Sequence, residues 1–169
     1  MFQDEGRFGR ISDLRPCWAP SGTRPFVPRQ VVRESVYVFA AIAPISGRLV
    51  WSLAPKANSE AMSEFLQIVA ARLPAHRILM VMDGAGWHKS KDVAWPKSIE
   101  PCYLPPYSPE LNPVEHLWEE VREKWLANRL FKTLGAVVGQ LNTAMNELTC
   151  SRPLIRDLAA FDWIQLLHL

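Results

Sequence analysis

Ile78-Leu79-Met80-Val81-Met82 is an unbroken apolar run that stops at Asp83-Gly84. A run this short suits a strand better than a helix. A strand without polar alternation is covered on both faces, and helices on each side of a sheet give that cover. The run therefore predicts an α/β chain with a buried strand that ends on a carboxylate. In open α/β sheets ligands sit beyond the carboxyl ends of such strands, which makes Asp83 a candidate site residue. Gly84 and Gly86 let backbone or ligand approach closely. The plainer reading of Asp83 is a residue that starts a turn.

The flanking segments support a mixed sheet. Residues 35–43 are rich in β-branched and aromatic side chains and read as a strand. Pro44-Ile45-Ser46-Gly47 is a turn, and residues 48–53 return as a second strand, so the pair forms a hairpin. Asn58 or Ser59 caps a helix with Met62, Phe65, Leu66, Val69 and Leu73 on one face, ended by Pro74. Residues 99–104 read as an edge strand, because Pro101 has no N–H to donate. Asn112-Pro113 opens a helix with the stripe Val114, Leu117, Trp118, Val121 and Trp125. Thr133 caps a last long helix, with Leu134, Val137, Val138, Leu141, Met145 and Leu148 on one face. The first thirty-odd residues read as irregular: Pro16, Pro20, Pro25 and Pro28 deny them a long helix. An antiparallel front followed by strand–helix–strand crossovers gives a mixed sheet with helices on both sides.

Composition excludes several classes. The 169 residues suit one domain, and 49% hydrophobic content excludes intrinsic disorder. No window approaches the ~18 uninterrupted apolar residues of a membrane-spanning helix. Met1-Phe2-Gln3-Asp4-Glu5 lacks a signal-peptide layout. Cys17, Cys102 and Cys150 fit neither a disulfide scaffold nor a zinc site, and they point to a reducing cytoplasm. With 19 Lys+Arg against 17 Asp+Glu, the net charge of +2 does not by itself declare a nucleic-acid binder.

Three acidic positions could carry chemistry. Asp83 is the first. Asp4 sits on a short opening strand, with Glu5 on the opposite face; solvated terminal residues are the plainer reading of both. Glu115 is the third residue of its helix, the capping-box position, where Glu bonds back to the cap residue's N–H. It also borders the buried stripe. Three carboxylates brought together resist ionisation unless cations join them. Mg²⁺ or Mn²⁺ provides those cations through oxygen ligands, and two such ions support phosphodiester displacement. His88 is a candidate phosphate contact or a packing residue. Cys102, in an apolar run, reads as a buried small side chain.

Taken together, Phe2-Gln3-Asp4-Glu5, Met80-Val81-Met82-Asp83-Gly84-Ala85-Gly86-Trp87-His88 and the long stretch Leu104-Pro105-Pro106-Tyr107-Ser108-Pro109-Glu110-Leu111-Asn112-Pro113-Val114-Glu115-His116-Leu117-Trp118 resemble the catalytic domain of the DDE transposases. The look is closest to the mariner-like superfamily and its bacterial insertion-sequence relatives. Trp18-Ala19-Pro20-Ser21-Gly22 also looks like the family's Trp-x-Pro-x-Gly segment. The resemblance runs from residue 2 to about residue 150. It implies an RNase H-like fold, a five-stranded mixed sheet flanked by helices. It implies cleavage of transposon ends and strand transfer into target DNA, dependent on Mg²⁺ or Mn²⁺ and on two ions. Asp4, Asp83 and Glu115 match the family's catalytic, metal-binding triad. The gap of 32 residues between Asp83 and Glu115 is short for the family, which places a shortened connection at residues 88–98.

The expected organisation is a single catalytic domain over residues 1–169, without the helix-turn-helix module that precedes this domain in full-length relatives. Expected partners are DNA (transposon ends and target), a second copy of the chain in a homodimer and, as an option, a separately encoded N-terminal DNA-binding chain. No membrane is expected, and the location is the bacterial cytoplasm and nucleoid. The Arg-rich segment from Arg7 to Arg33 and Lys89, Lys91 and Lys97 are candidate phosphate contacts. A first strand with only three residues before Asp4 is expected to fray. The segment from Phe161 to Leu167 is expected to pack back on the domain or reach a partner. The alternative function is a truncated or split-frame remnant that binds DNA or a companion chain without cutting. A nuclease acting on RNA–DNA hybrids is a third option, disfavoured by the proline-rich motif.

Overall fold

The computed structural model describes residues 1–165. Its strands are β1 (Phe2–Ile11), β2 (Val31–Ala43), β3 (Arg48–Ala54), β4 (Ile78–Met82) and β5 (Ile99–Tyr103). They form one sheet in the order β3-β2-β1-β4-β5. β1 pairs antiparallel with β2, and β2 with β3; β4 runs parallel to β1 and to β5. This is the five-stranded mixed sheet expected from the sequence, with the hairpin and the edge strand where their residues put them.

Helices cover both faces. α1 (Ser59–Arg72) is capped by Asn58, whose side chain accepts the Ala61 N–H at 2.9 Å. Its Met62, Phe65, Leu66 and Val69 pack with Phe39, Met80 and Met82 on one side of the sheet. α2 (Val114–Val121), α3 (Leu134–Cys150) and α4 (Arg152–Leu158) cover the other side. α2 widens into a π-type turn over Arg122–Leu126. Thr133 caps α3 by accepting the Ala136 N–H at 3.1 Å. A short final turn, α5 (Asp162–Gln165), brings Phe161 and Ile164 back onto this layer, while Leu166 and Leu167 lie outside the described residues. Among the described residues no helix is long and apolar enough to cross a membrane.

The largest departure is at the start of the chain. The sequence suggests an irregular opening around a short, frayed strand, but β1 runs for ten residues and is the middle strand of the sheet. Only residues 12–30, between β1 and β2, are irregular. β1 has poor strand composition, with Asp4, Glu5, Gly6, Arg7, Gly9 and Arg10. Its pairing partner makes up for this: β2 is mostly apolar from Val36 onward, the stretch that pairs with Phe2–Phe8, and the pairing continues to Ile11–Val31 across a register shift. Strand preference reflects such context more than the residues' own tendency. Met1 is tied as well, its carbonyl accepting the Val81 N–H at 2.8 Å and its ammonium donating to the Leu79 carbonyl at 2.7 Å.

A second departure concerns the outer half of the sheet. The apolar run 78–82 predicts cover on both faces, and Cys102 reads as buried. Ile78, Met80 and Met82 are indeed buried, but Leu79 is 53% exposed and Cys102 is exposed. Leu79 pairs with Glu100 and Val81 with Cys102, so these residues share one face. Among the described residues no helix extends over its outer part.

Gly6 is the tightest point of the middle strand. A Cβ there would lie 2.8 Å from the Trp118 ring and 2.6 Å from the Phe8 ring. Those rings meet edge-on, 5.7 Å apart, and lock α2 against β1. Overpacking of this kind typically costs about 1–3 kcal/mol. Gly6→Ala should lower stability by that amount, read from the urea unfolding midpoint.

Candidate active site

Phe2 of β1 faces Val81 of β4 across a parallel register. Asp4 and Asp83 each lie two residues beyond that pair, where the two strands part company. This is the crevice at the strand ends in which α/β sheets place ligands. Alternation along β1 turns Phe2, Asp4, Gly6 and Phe8 toward the α2–α4 layer, and Glu5 toward the other side.

α2 supplies the third carboxylate. Asn112 caps the helix as the sequence suggests: its Oδ1 accepts the Val114 N–H at 3.2 Å. The buried amide also donates to the Gln3 carbonyl at 2.9 Å, which fixes the helix start against β1. The capping-box reading of Glu115 fails here. The Asn112 N–H that Glu115 would need donates to the Pro109 carbonyl at 2.8 Å, in the 3₁₀ turn Pro109–Leu111. The Glu115 carboxylate has no hydrogen-bond or ion-pair partner among the described residues and faces a cavity instead.

That cavity, of about 460 Å³, is lined by Asp4, Asp83 and Glu115 together with Lys89, Asn112 and Tyr107. The three acidic residues, drawn from three separate motifs, thus share one space. Among the described residues they do not close into a ready three-ligand cage. Tyr107 stands on the rim, fully exposed, with a left-handed φ of 57° that a bulky residue rarely adopts.

The electrostatics of the three differ. Burial pushes the Asp4 carboxyl up to about 7, and the charges of Glu5 and Glu115 add to the rise. The Trp118 indole N–H, donated to Asp4 Oδ2 at 2.7 Å, pulls the other way. Asp83 is held below the usual carboxylate range, chiefly by His88 and against partial burial, with the Ala85 N–H at 3.0 Å and Lys89 assisting. The Lys89 ammonium lies 5.2 Å from the centre of the Tyr103 ring, a cation–π contact.

Two placements go beyond the sequence reading. Glu5 is not the solvated terminal residue expected, and His88 is buried, in keeping with the packing alternative. Its Nε2 lies 2.7 Å from Glu5 Oε1, while Nδ1 lies 2.8 Å from Asp83 Oδ1 and 3.1 Å from the Asp83 carbonyl. Burial opposes a charge on this ring, yet the two carboxylates push it up to about 10. The pair lies 83 residues apart, so no local pattern announces it; the only hint is that Glu5 must face away from Asp4. His116 has a separate role, with Nδ1 2.9 Å from the Leu158 carbonyl and its ring edge-on to Phe161. In the Arg-rich segment Arg10 pairs with Glu34 and Arg15 with Asp13, and Asn128 grips the Arg15 backbone.

A raised Asp4 carboxyl means that the folded chain keeps a proton which the unfolded chain has released between about pH 4 and 7. In metal-free protein its contribution to stability therefore falls as pH rises through that window. Asp4→Asn removes the titration. The variant should be more stable than the natural chain at about pH 8, and the advantage should vanish near pH 4, as measured by urea unfolding at the two pH values.

Comparison with known proteins gives four relevant matches. Residues 1–138 match the DDE superfamily endonuclease family. An uncharacterized protein, y4pE/y4sA of Sinorhizobium fredii (strain NBRC 101917 / NGR234), is 36% identical over 129 residues, which is 75% of this chain and 95% of that protein. Among solved structures, the Mos1 mariner paired end complex with Mn aligns with 94% of this chain at a TM-score of 0.63 and 14% identity. The catalytic domain of Mos1 mariner transposase aligns over the same share at 0.59 and 13% identity. The chain spans 53% of the protein in the first of these structures and 78% of the second. At such identity the likeness is one of fold, and the fold is RNase H-like.

Proposed function

The chain belongs to the DDE superfamily endonuclease family, and from that membership we propose that it is a transposase catalytic domain, over residues 1–169, that cuts DNA at transposon ends and joins them to target DNA. The observation that carries the reading is the single cavity shared by Asp4, Asp83 and Glu115. The fold likeness to a transposase described as a paired end complex supports DNA as the partner. A second copy of the chain is the natural companion, since two ends must be brought together.

The donor set fits a divalent cation. It is all carboxylate oxygen, the chemistry that Mg²⁺ and Mn²⁺ prefer. Asp4 is half-buried and Glu115 has no partner among the described residues, so both gain from a nearby positive charge. Two ions held by Asp4, Asp83 and Glu115 would supply an activated water or 3′-OH and stabilise the leaving oxygen. The chain's own residues do the holding. Trp118 aims Asp4, Asn112 seats the helix that carries Glu115, and Lys89 adds a positive charge beside Asp83 for a phosphate.

The test uses the full chain and labelled duplexes bearing the ends of its own element. Nicking and joining should require Mg²⁺ or Mn²⁺. Asp4→Asn, Asp83→Asn and Glu115→Gln should each reduce cutting by at least about 100-fold, the scale set by losing several kcal/mol of charge stabilisation. Undiminished cutting by Asp83→Asn sinks the assignment. Binding without cutting in either metal would favour the alternative of a chain that holds DNA or a partner only.

A further inference from the structure

We propose that His88 is a positioning residue: braced by Glu5 from behind, it fixes the Asp83 carboxylate on the cavity wall. The inference rests on Asp83 as a metal ligand and names what holds that ligand in place.

Asp83 needs such a holder. It follows the last residue of β4 and precedes Gly84-Ala85-Gly86, a stretch with two soft glycines. Its side chain is 59% exposed, so its own packing does not choose a rotamer. Among the described residues the only side chain in polar contact with it is that of His88, which is itself fully buried. The ring reaches the carboxylate with Nδ1 and is held at its other end by Glu5. Glu5 stands on the middle strand, one residue from Asp4 and facing away from it. Asp4 and the brace for Asp83 are thereby set by the same rigid strand.

The arrangement has a cost that fold stability alone does not explain. Burying a charged pair is no reliable gain. Gln3 donates its Nε2 to Glu5 Oε1 at 3.0 Å, but its own Oε1 is buried without a partner. Native interiors carry few such groups, and they concentrate where something other than stability is served. His88 also helps close its loop: its N–H donates to the Ala85 carbonyl, and its carbonyl accepts the Tyr103 hydroxyl at 3.0 Å. Those are backbone contacts, which any residue at position 88 retains. The side chain is what the proposal concerns.

The test measures Mn²⁺ affinity of the full chain by titration calorimetry, well below the melting temperature, beside circular dichroism. His88→Gln cannot bridge both carboxylates and should weaken Mn²⁺ binding by about 10-fold or more, the usual scale for residues that orient a metal ligand. Glu5→Leu should do the same, while Glu5→Gln, which keeps an acceptor for Nε2–H, should stay within about 3-fold of the natural chain. On an Asp83→Asn background, His88→Gln should cost nothing further, because its effect passes through Asp83. Natural affinity in folded His88→Gln or Glu5→Leu overturns the proposal. So does an undiminished effect of His88→Gln on the Asp83→Asn background. If Asp83→Asn itself binds Mn²⁺ normally, the metal-ligand reading fails, a separate outcome. A readout free of variants guards against misfolding: in histidine-labelled protein the His88 ring nitrogens should shift when Mg²⁺ is added. Mg²⁺ binding without that shift overturns the proposal.

Discussion

The hydrogen bond from the Trp118 indole to Asp4 joins the helical layer to the middle strand, and the site depends on it. Trp118 is almost wholly buried, wedged against Phe8 and over the gap that Gly6 leaves. Moving α2 would therefore break a core contact as well as a polar one. Because Glu115 precedes Trp118 on the same helix, the bond that aims Asp4 also sets where Glu115 stands. Asn112 adds a second fastening, from the helix cap to the β1 backbone. Two carboxylates from distant parts of the chain are thus located by one packing event.

The third carboxylate is located from the opposite face. β1 alternates, so the residue after Asp4 points through the sheet to the α1 side, where it meets His88. Asp83, at the end of the neighbouring strand, is reached from there. The two faces differ electrically. Asp4 is a half-buried acid raised to about 7, with a neutral donor as partner; Asp83 is a more exposed acid held low by a charged one. The site thus pairs a carboxylate that resists ionisation with one that accepts it readily.

Much of this was readable in the sequence, and the unread part has a common cause. Strands 2 to 5, the helices and their caps follow from local signals: the apolar run 78–82, the Asn58 and Thr133 caps and the Asn112-Pro113 opening. The three acidic positions follow from motifs. What local reading misses depends on partners far away in the chain. β1 has few strand-forming residues beyond Phe2, Phe8 and Ile11 and is a strand because β2 and β4 flank it. Glu115 looks like a capping-box residue until Pro109 is seen to take the N–H. Glu5 looks solvated, and His88 has no evident partner, until the sheet brings them together. Leu79 and Cys102 look buried because apolarity alone does not reveal where cover stops.

The same dependence explains why a chain would build its middle strand from such unsuitable residues. An optimal central strand would be Val and Ile throughout, and it would be inert. Here the middle strand carries Asp4 and Glu5 side by side, one for each face, with Gly6 next to them to admit Trp118. Each is a poor choice for strand stability, and each is tolerated because the helices, β2 and the strand's own Phe2 and Phe8 leave a margin of apolar packing. The cores on the two sides of the sheet provide that margin. The site is thus anchored on the middle strand of the sheet, on residues the fold tolerates rather than favours.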